Sequence, residues 1–188
     1  MDKAPIVLVF AGPNGSGKST IVKGFDIIGK YINADDIKKQ KGCTDLEAAQ
    51  YATTLREDAV TNNRNFTFET VLSSPRNVEL LRKAKVAGYR IEVVFVLTSD
   101  PQINVLRVAE RVKNGGHDVP KDKIISRYYK SLDNLSKLLE IADVMWVVDN
   151  STNKAELIIY SKDGDILTNE TKFWSNERIK KLISGNTD

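Results

Sequence analysis

The clearest chemistry in this 188-residue sequence lies in eight consecutive positions, Gly12-Pro13-Asn14-Gly15-Ser16-Gly17-Lys18-Ser19. They fit the pattern G-x-x-x-x-G-K-[ST] and stand directly after the apolar run Ile6-Val7-Leu8-Val9-Phe10 and before a stretch that reads as the start of a helix. Glycines let backbone N–H groups converge on phosphate oxygens, and a helix N-terminus adds the positive end of its dipole. Lys18 is spaced to reach the β and γ phosphates, and the Ser19 hydroxyl to ligate Mg²⁺. The expected ligand is therefore ATP with Mg²⁺. The loop defines a phosphoryl donor and leaves the acceptor open.

Other polar residues fall where an acceptor would need them. Asn33-Ala34-Asp35-Asp36 follows a short strand pattern at Lys30–Asn33, so a carboxylate there faces the crevice of the Gly-rich loop. Such a group can take the proton of an attacking hydroxyl or hold metal-bound water. Adjacent side chains point in different directions, so one of Asp35 and Asp36 is expected to do this work while the other caps the helix. Glu69 ends an apolar, Thr-rich strand pattern, where a buried carboxylate without a partner is costly, and becomes a ligand candidate or the partner of a nearby Arg. Between Arg107 and Arg127 a helical pattern is broken by Asn114-Gly115-Gly116-His117-Asp118-Val119-Pro120, which reads as a lid able to bring cations over a triphosphate. Asp149-Asn150-Ser151, after the last strand of the parallel set, is either an Asx turn or a nucleoside contact.

The elements that position these residues can be read from periodicity. Strands are expected at Ile6–Phe10, Lys30–Asn33, Asn65–Thr70, Ile91–Leu97 and Val144–Asp149, and helices at Ala34–Gln40, Asp45–Asn62, Pro75–Ala87, Pro101–Lys113 and Asp122–Leu139. This alternation predicts an α/β fold: a mostly parallel sheet with helices on both faces, a helical lid at 107–127, and ligands at the carboxyl ends of the strands. Around Lys162-Asp163-Gly164 the pattern becomes that of an antiparallel hairpin, and an amphipathic helix at about Asn176–Ile183 ends it, so hairpin and helix occupy about 155–185 of a single domain spanning 1–188. Trp146 and Trp174 are expected to pack rather than stack on a nucleotide.

Charge excludes some partners. The 28 basic and 25 acidic residues are interspersed and leave a formal charge of +3 without a basic arm, which argues against nucleic acid as the first partner. Cys43 is the single cysteine and has no metal-ligating neighbour, and His117 is the single histidine. No apolar stretch approaches the about 20 residues of a membrane span, and the start at Met1-Asp2-Lys3 lacks a leader pattern, so a cytoplasmic location is expected.

Taken in order, Ala11 to Thr20, Ile32-Asn33-Ala34-Asp35-Asp36-Ile37, Phe68-Glu69-Thr70 and the segment Arg111 to Pro120 resemble the zeta-toxin family of small P-loop kinases, over about Ile6 to Asn150. The resemblance implies a nucleotide-kinase-like fold and transfer of a γ-phosphoryl group to a sugar hydroxyl, that of UDP-N-acetylglucosamine in zeta toxins proper. It places the catalytic role on Asp35, with Lys18 and the lid arginines Arg111 and Arg127, Arg107 being in reserve. It assigns Gly12, Pro13, Asn14, Gly15, Ser16, Gly17, Lys18, Ser19, Thr20 and Asn150 to the nucleotide, and Asp36, Glu69, Thr70 and His117 to the acceptor. A cognate antitoxin protein is an implied partner. Phosphorylation of another acceptor, such as a nucleoside, a sugar or an antibiotic, and a nucleotide-dependent ATPase or interaction module are the competing readings.

Overall fold

The computed structural model describes residues 4–186, so the leader reading at Met1-Asp2-Lys3 lies outside the described residues. Strand β1 (Ile6–Ala11) is apolar throughout and β-branched at Ile6, Val7 and Val9, and it takes the central place that such a sequence demands. It pairs in parallel with β3 (Phe66–Thr70) on one side and β4 (Arg90–Leu97) on the other. Outward from these lie β2 (Lys30–Ile32), parallel to β3, and β5 (Val144–Asp149), parallel to β4. The antiparallel strands β6 (Glu156–Lys162) and β7 (Asp165–Thr168) complete a seven-stranded sheet of order β2-β3-β1-β4-β5-β6-β7. The β6–β7 turn carries positive φ at both Asp163 (51°) and Gly164 (94°), the primed geometry that matches the twist of a tight hairpin.

Alternation along β1 divides the core. Val7, Val9 and Ala11 join a large cluster with Phe66, Phe68, Phe95, Leu97 and Trp174, whereas Leu8 and Phe10 face a smaller one with Val94 and Val96. Helices α3 (Asp45–Thr61), α4 (Arg76–Val86), α7 (Leu135–Ile141) and α8 (Asn176–Ser184) supply buried residues to the large cluster. The smaller one is closed by Ile21, Val22, Ile28 and Trp146. Both tryptophans thus pack, Trp174 completely.

Two helices differ from expectation. The helix after the Gly-rich loop is one turn, α1 (Lys18–Ile21), followed by a 3-10 turn at Val22–Gly24, so any dipole at its start is that of a single turn. The helix expected at Asp122–Leu139 is two, α6 (Lys121–Asp133) and α7, meeting at Asn134. The Asn134 amide donates to the Lys130 carbonyl and across the core to the Leu72 carbonyl, each at 3.0 Å, and that competing bond to Leu72 marks the break. Leu72 itself holds φ +57°, so its turn relies on such partners.

Candidate active site

The Gly-rich loop leaves β1 and is fixed by side chains of distant elements. Gly12 adopts φ 134°, and a Cβ there would lie 2.0 Å from the Val96 carbonyl oxygen, so β4 admits only glycine beside it. Asn104, fully buried on α5 (Pro101–Lys113), donates to the Asn14 carbonyl at 2.7 Å while its own Oδ1 accepts from Thr98. Asn150 donates to the Ser16 carbonyl at 2.8 Å, and Asp149 accepts from the Ser151 N–H at 3.0 Å, which closes the Asx turn. Asn150 therefore braces the loop and, with Thr20 and Thr152, lines the cavity beside it.

Lys18 donates to the Gly12 and Pro13 carbonyls at 2.7 and 3.0 Å. Part of its stem reaches the surface, but its ammonium is sunk under the loop, and burial lowers its pKa to about 8. Glu69 and Asp35 oppose that shift and Arg111 reinforces it, so these charges act on one another around a single space. That space is a cavity of about 700 Å³ with Lys18, Ser19, Asp35, Glu69, Thr70, Arg107 and Arg111 among its walls. A cavity of about 690 Å³ opens elsewhere, between α5, α6 and α8 beside Trp174 and Arg178, but no phosphate-binding loop borders it.

Asn33 caps α2 (Ala34–Lys41), its side chain accepting from the Asp35 N–H at 2.8 Å. The expectation that one of the two aspartates caps this helix is thereby corrected, because the amide one residue before Ala34 already does so. Asp35 lines the cavity; Asp36 is exposed and is not among its walls. Glu69 reaches from the end of β3 with both oxygens engaged: Oε2 accepts from Ser19 at 3.2 Å, and Oε1 accepts from Asn33 at 3.0 Å and from the Tyr31 hydroxyl. Burial and this contact hold Tyr31 far above its ordinary pKa, so it remains a donor. The Thr70 hydroxyl oxygen accepts from Asn77 at 2.7 Å and from the Leu72 N–H at 2.9 Å, which commits it to the turn while leaving its proton free to donate.

The expected lid is a loop at 114–120 between α5 and α6, exposed except at Val119, which is buried with Val108 and Ile124. Arg111 donates to the His117 carbonyl at 2.7 Å, and Arg127 reaches Asn14 Oδ1 at 3.5 Å. Arg107 presents a buried Nη1 without a partner among the described residues. Arg107 and Arg111 border the cavity, whereas Arg127 and His117 do not. His117 instead lies near Asp45, at the start of α3.

Sequence reasoning passed over Tyr31, Arg56, Asn77 and Asn104. The signal for Asn104 was present, an amide inside the apolar spacing of Ile103, Val105 and Val108. The others depend on which elements meet. For Mg²⁺, the oxygen donors at hand are the Ser19 hydroxyl and the adjacent Glu69 carboxylate, which suit an ion that keeps several waters and takes its other ligands from phosphates. Among the described residues there is no group of three or more acidic, His or Cys side chains arranged to hold a metal. Nor, among them, is any helix long and apolar enough to cross a membrane.

The family model described as Zeta toxin matches residues 30–164, beginning downstream of the Gly-rich loop. An uncharacterized protein of Haemophilus influenzae is 30% identical over 128 residues, covering 64% of this chain and 91% of that protein. Among solved structures, the AvrRxo1-ORF1:ORF2 complex with ATP superimposes with a TM-score of 0.71 at 14% identity. The match covers 96% of this chain, which spans only 64% of the length of that one. The PezAT toxin-antitoxin system of Streptococcus pneumoniae gives a TM-score of 0.57 at 19% identity, covering 98% of this chain and 85% of that one. At such identities the likeness is one of fold.

Proposed function

The chain belongs to the zeta-toxin family, and on that premise we propose that it is an ATP-dependent phosphotransferase acting on a hydroxyl of a small molecule, UDP-N-acetylglucosamine being the first acceptor to test. The observation that carries the proposal is the shared cavity. It sets the Gly-rich loop and Lys18 against Asp35, with Arg107 and Arg111 on the same walls. A switch protein needs the loop but has no use for a carboxylate aimed at the position of an attacking nucleophile.

In this reading, backbone N–H groups of 12–19 cradle the phosphates and Lys18 leaves the Gly12 and Pro13 carbonyls for the β and γ oxygens. Ser19 would hold Mg²⁺, with Glu69, kept in place by Tyr31 and Asn33, beside it to bind a metal-bound water, and the ion would supply charge neutralisation to the phosphates. Asp35 accepts the acceptor's hydroxyl proton as its oxygen bonds to the γ-phosphorus, the bond from that phosphorus to the β–γ bridging oxygen breaks, and ADP departs. Arg111 and Arg107 balance negative charge on the moving phosphoryl group, and Arg127 steadies the loop through Asn14. An antitoxin is proposed as a protein partner on the family's account.

Incubation with ATP, Mg²⁺ and UDP-N-acetylglucosamine, followed by mass spectrometry, should show a nucleotide sugar heavier by one phosphoryl group, and Asp35→Asn should suppress it. Failure to form that product while other alcohols are phosphorylated would remove the acceptor and keep the kinase. Release of free phosphate alone, whatever alcohol is offered, would replace the kinase with an ATPase.

A further inference from the structure

The cavity of about 690 Å³ between α5, α6 and α8 shares none of its lining residues with the cavity of the Gly-rich loop. Its apolar wall is Tyr128, Leu132, Trp174 and Leu182, each at most 5% exposed. The Tyr128 hydroxyl is spent on the Thr98 carbonyl, so what remains of that side chain for a ligand is its ring. Arg178, on α8, is half-buried, and its guanidinium carbon lies 4.0 Å from the centroid of the Trp174 ring. Nη1 donates to the Phe173 carbonyl at 2.8 Å and Nη2 to the Ser99 carbonyl at 2.6 Å, which ties the group to the end of β4. A guanidinium has five N–H donors, and these bonds leave Nε–H and one N–H on each Nη without a protein acceptor. The buried indole N–H of Trp174 also has no acceptor among the described residues.

Four charged side chains line this cavity, Asp100, Glu177, Arg178 and Lys181, and three of them are already committed. The Asp100 carboxylate caps α5, accepting from the Gln102 N–H at 2.7 Å. Glu177 and Lys181 stand one turn apart on α8 with their charged atoms 3.9 Å from each other, so each offsets the other. Arg178 forms no ion pair among the described residues. One uncommitted charge therefore remains, and it is positive. Its neighbours are an aromatic ring and two neutral carbonyls, and partial burial keeps water from screening it fully, so an anion placed there gains more than it would at an open surface.

We infer that this cavity binds a small organic monocarboxylate with an aromatic or branched apolar body, the carboxylate meeting Arg178 and the body packing on Tyr128, Leu132, Trp174 and Leu182. A planar fork matches a carboxylate in shape, and one free cation matches one anion in charge. A phosphate monoester is close to doubly charged at neutral pH and would bring a second negative charge beside Asp100 and Glu177 with no cation left for it. The site goes beyond the kinase reading and does not depend on it, since no wall residue is common to the two cavities.

The test is calorimetric titration with 3-phenylpropionate, with the P-loop empty and again saturated with Mg²⁺ and a non-hydrolysable ATP analogue. One molecule should bind in both states. The uncharged 3-phenylpropionamide should bind at least about tenfold more weakly; Arg178→Gln should raise the Kd of the acid by a similar factor, and Arg178→Lys, which keeps the charge but not the fork, severalfold. No binding at about 10 mM, loss of binding when the P-loop is filled, or equal binding of acid and amide by the wild type would overturn the inference. So would an unchanged Kd in Arg178→Gln or, if that variant does not fold, in Arg178→Lys. Tighter binding of phenyl phosphate would overturn the choice of carboxylate, and equal binding of acetate would overturn the apolar body. Because the readout is binding, a protein that phosphorylates nothing would refute the kinase and leave this site standing.

Discussion

Raising the pH should loosen ATP through one group, Lys18. Its pKa in the empty loop is about 8 because its ammonium is buried against the Gly12 and Pro13 carbonyls with incomplete compensation from Glu69 and Asp35. A triphosphate beside the ammonium favours the charged form, so the bound pKa must rise and binding must take up a proton. Half a unit below the free pKa about three quarters of the lysine is charged, and one and a half units above it about 3%, so Kd should increase about 25-fold, or about 1.9 kcal/mol, from about pH 7.5 to about pH 9.5. Stability of the empty protein should move the other way. The unfolded chain, with its lysine near 10.5, binds more protons than the folded one between about 8 and 10.5, so this group's contribution to stability rises with pH over that window. The assay is titration of Mg²⁺ and a non-hydrolysable ATP analogue at constant ionic strength, in buffers of different ionisation enthalpy, with Lys18→Met alongside. Proton uptake should peak between the free and bound pKa values, reaching about half a proton near pH 8. A Kd constant within about twofold, or the same slope in Lys18→Met, would refute the reasoning.

Four substitutions test the rest of the site. Asp35→Asn should lower kcat about 100- to 10,000-fold with little change in the ATP Kd, whereas Asp36→Asn, off the cavity wall, should stay within about threefold in steady-state assays. Asn104→Ala leaves the Asn14 carbonyl without its buried donor and should cost about 1–3 kcal/mol in denaturant unfolding, together with weaker nucleotide binding; unchanged affinity would mean that Asn104 does not hold the loop. Tyr31→Phe removes one donor from Glu69, and if that carboxylate orients a metal-bound water the Mg²⁺ requirement of turnover should rise about tenfold while acceptor KM stays level; the opposite split would return Glu69 to the acceptor.

What was legible in the sequence was whatever is local. The strands announced themselves because parallel strands buried on both faces are runs such as Ile6–Phe10, and the loop because its backbone needs glycine at positions such as Gly12. Legibility failed where a side chain answers to a distant partner. Asn134 ends a helix for the sake of the Leu72 carbonyl, 62 residues away, and no helical periodicity contains that information. Arg56 looks like one more charge on an amphipathic helix until β3 is placed beneath it. The assignment of a cap to Asp35 or Asp36 failed for a smaller reason, since Asn33, usable as strand end or cap, serves as cap.

The same distinction separates the proposed donor half of the site from the proposed acceptor half. The chain runs from β1 to edge strand β2, returns through β3 beside β1, and then crosses to β4 on the other flank. The carboxyl end of β1 is thus where successive connections leave in opposite directions, and the phosphate loop begins there. Everything that grips a triphosphate can be supplied by one short continuous segment, because backbone N–H groups do most of the gripping. On the proposed reading the acceptor would instead be met by residues from the β2–α2 junction, α3, β3 and α4, whose order in space follows from the crossovers rather than from any motif. Glu69 shows the consequence: by sequence it belongs with Thr70 and the acceptor, yet its oxygens are held between Ser19 on the donor side and Asn33 beside Asp35, at the boundary where the phosphoryl group would pass. A charge change at Glu69 should therefore disturb metal, base and acceptor together, and only variants that leave it in place, such as Tyr31→Phe and Asp35→Asn, can separate the two halves.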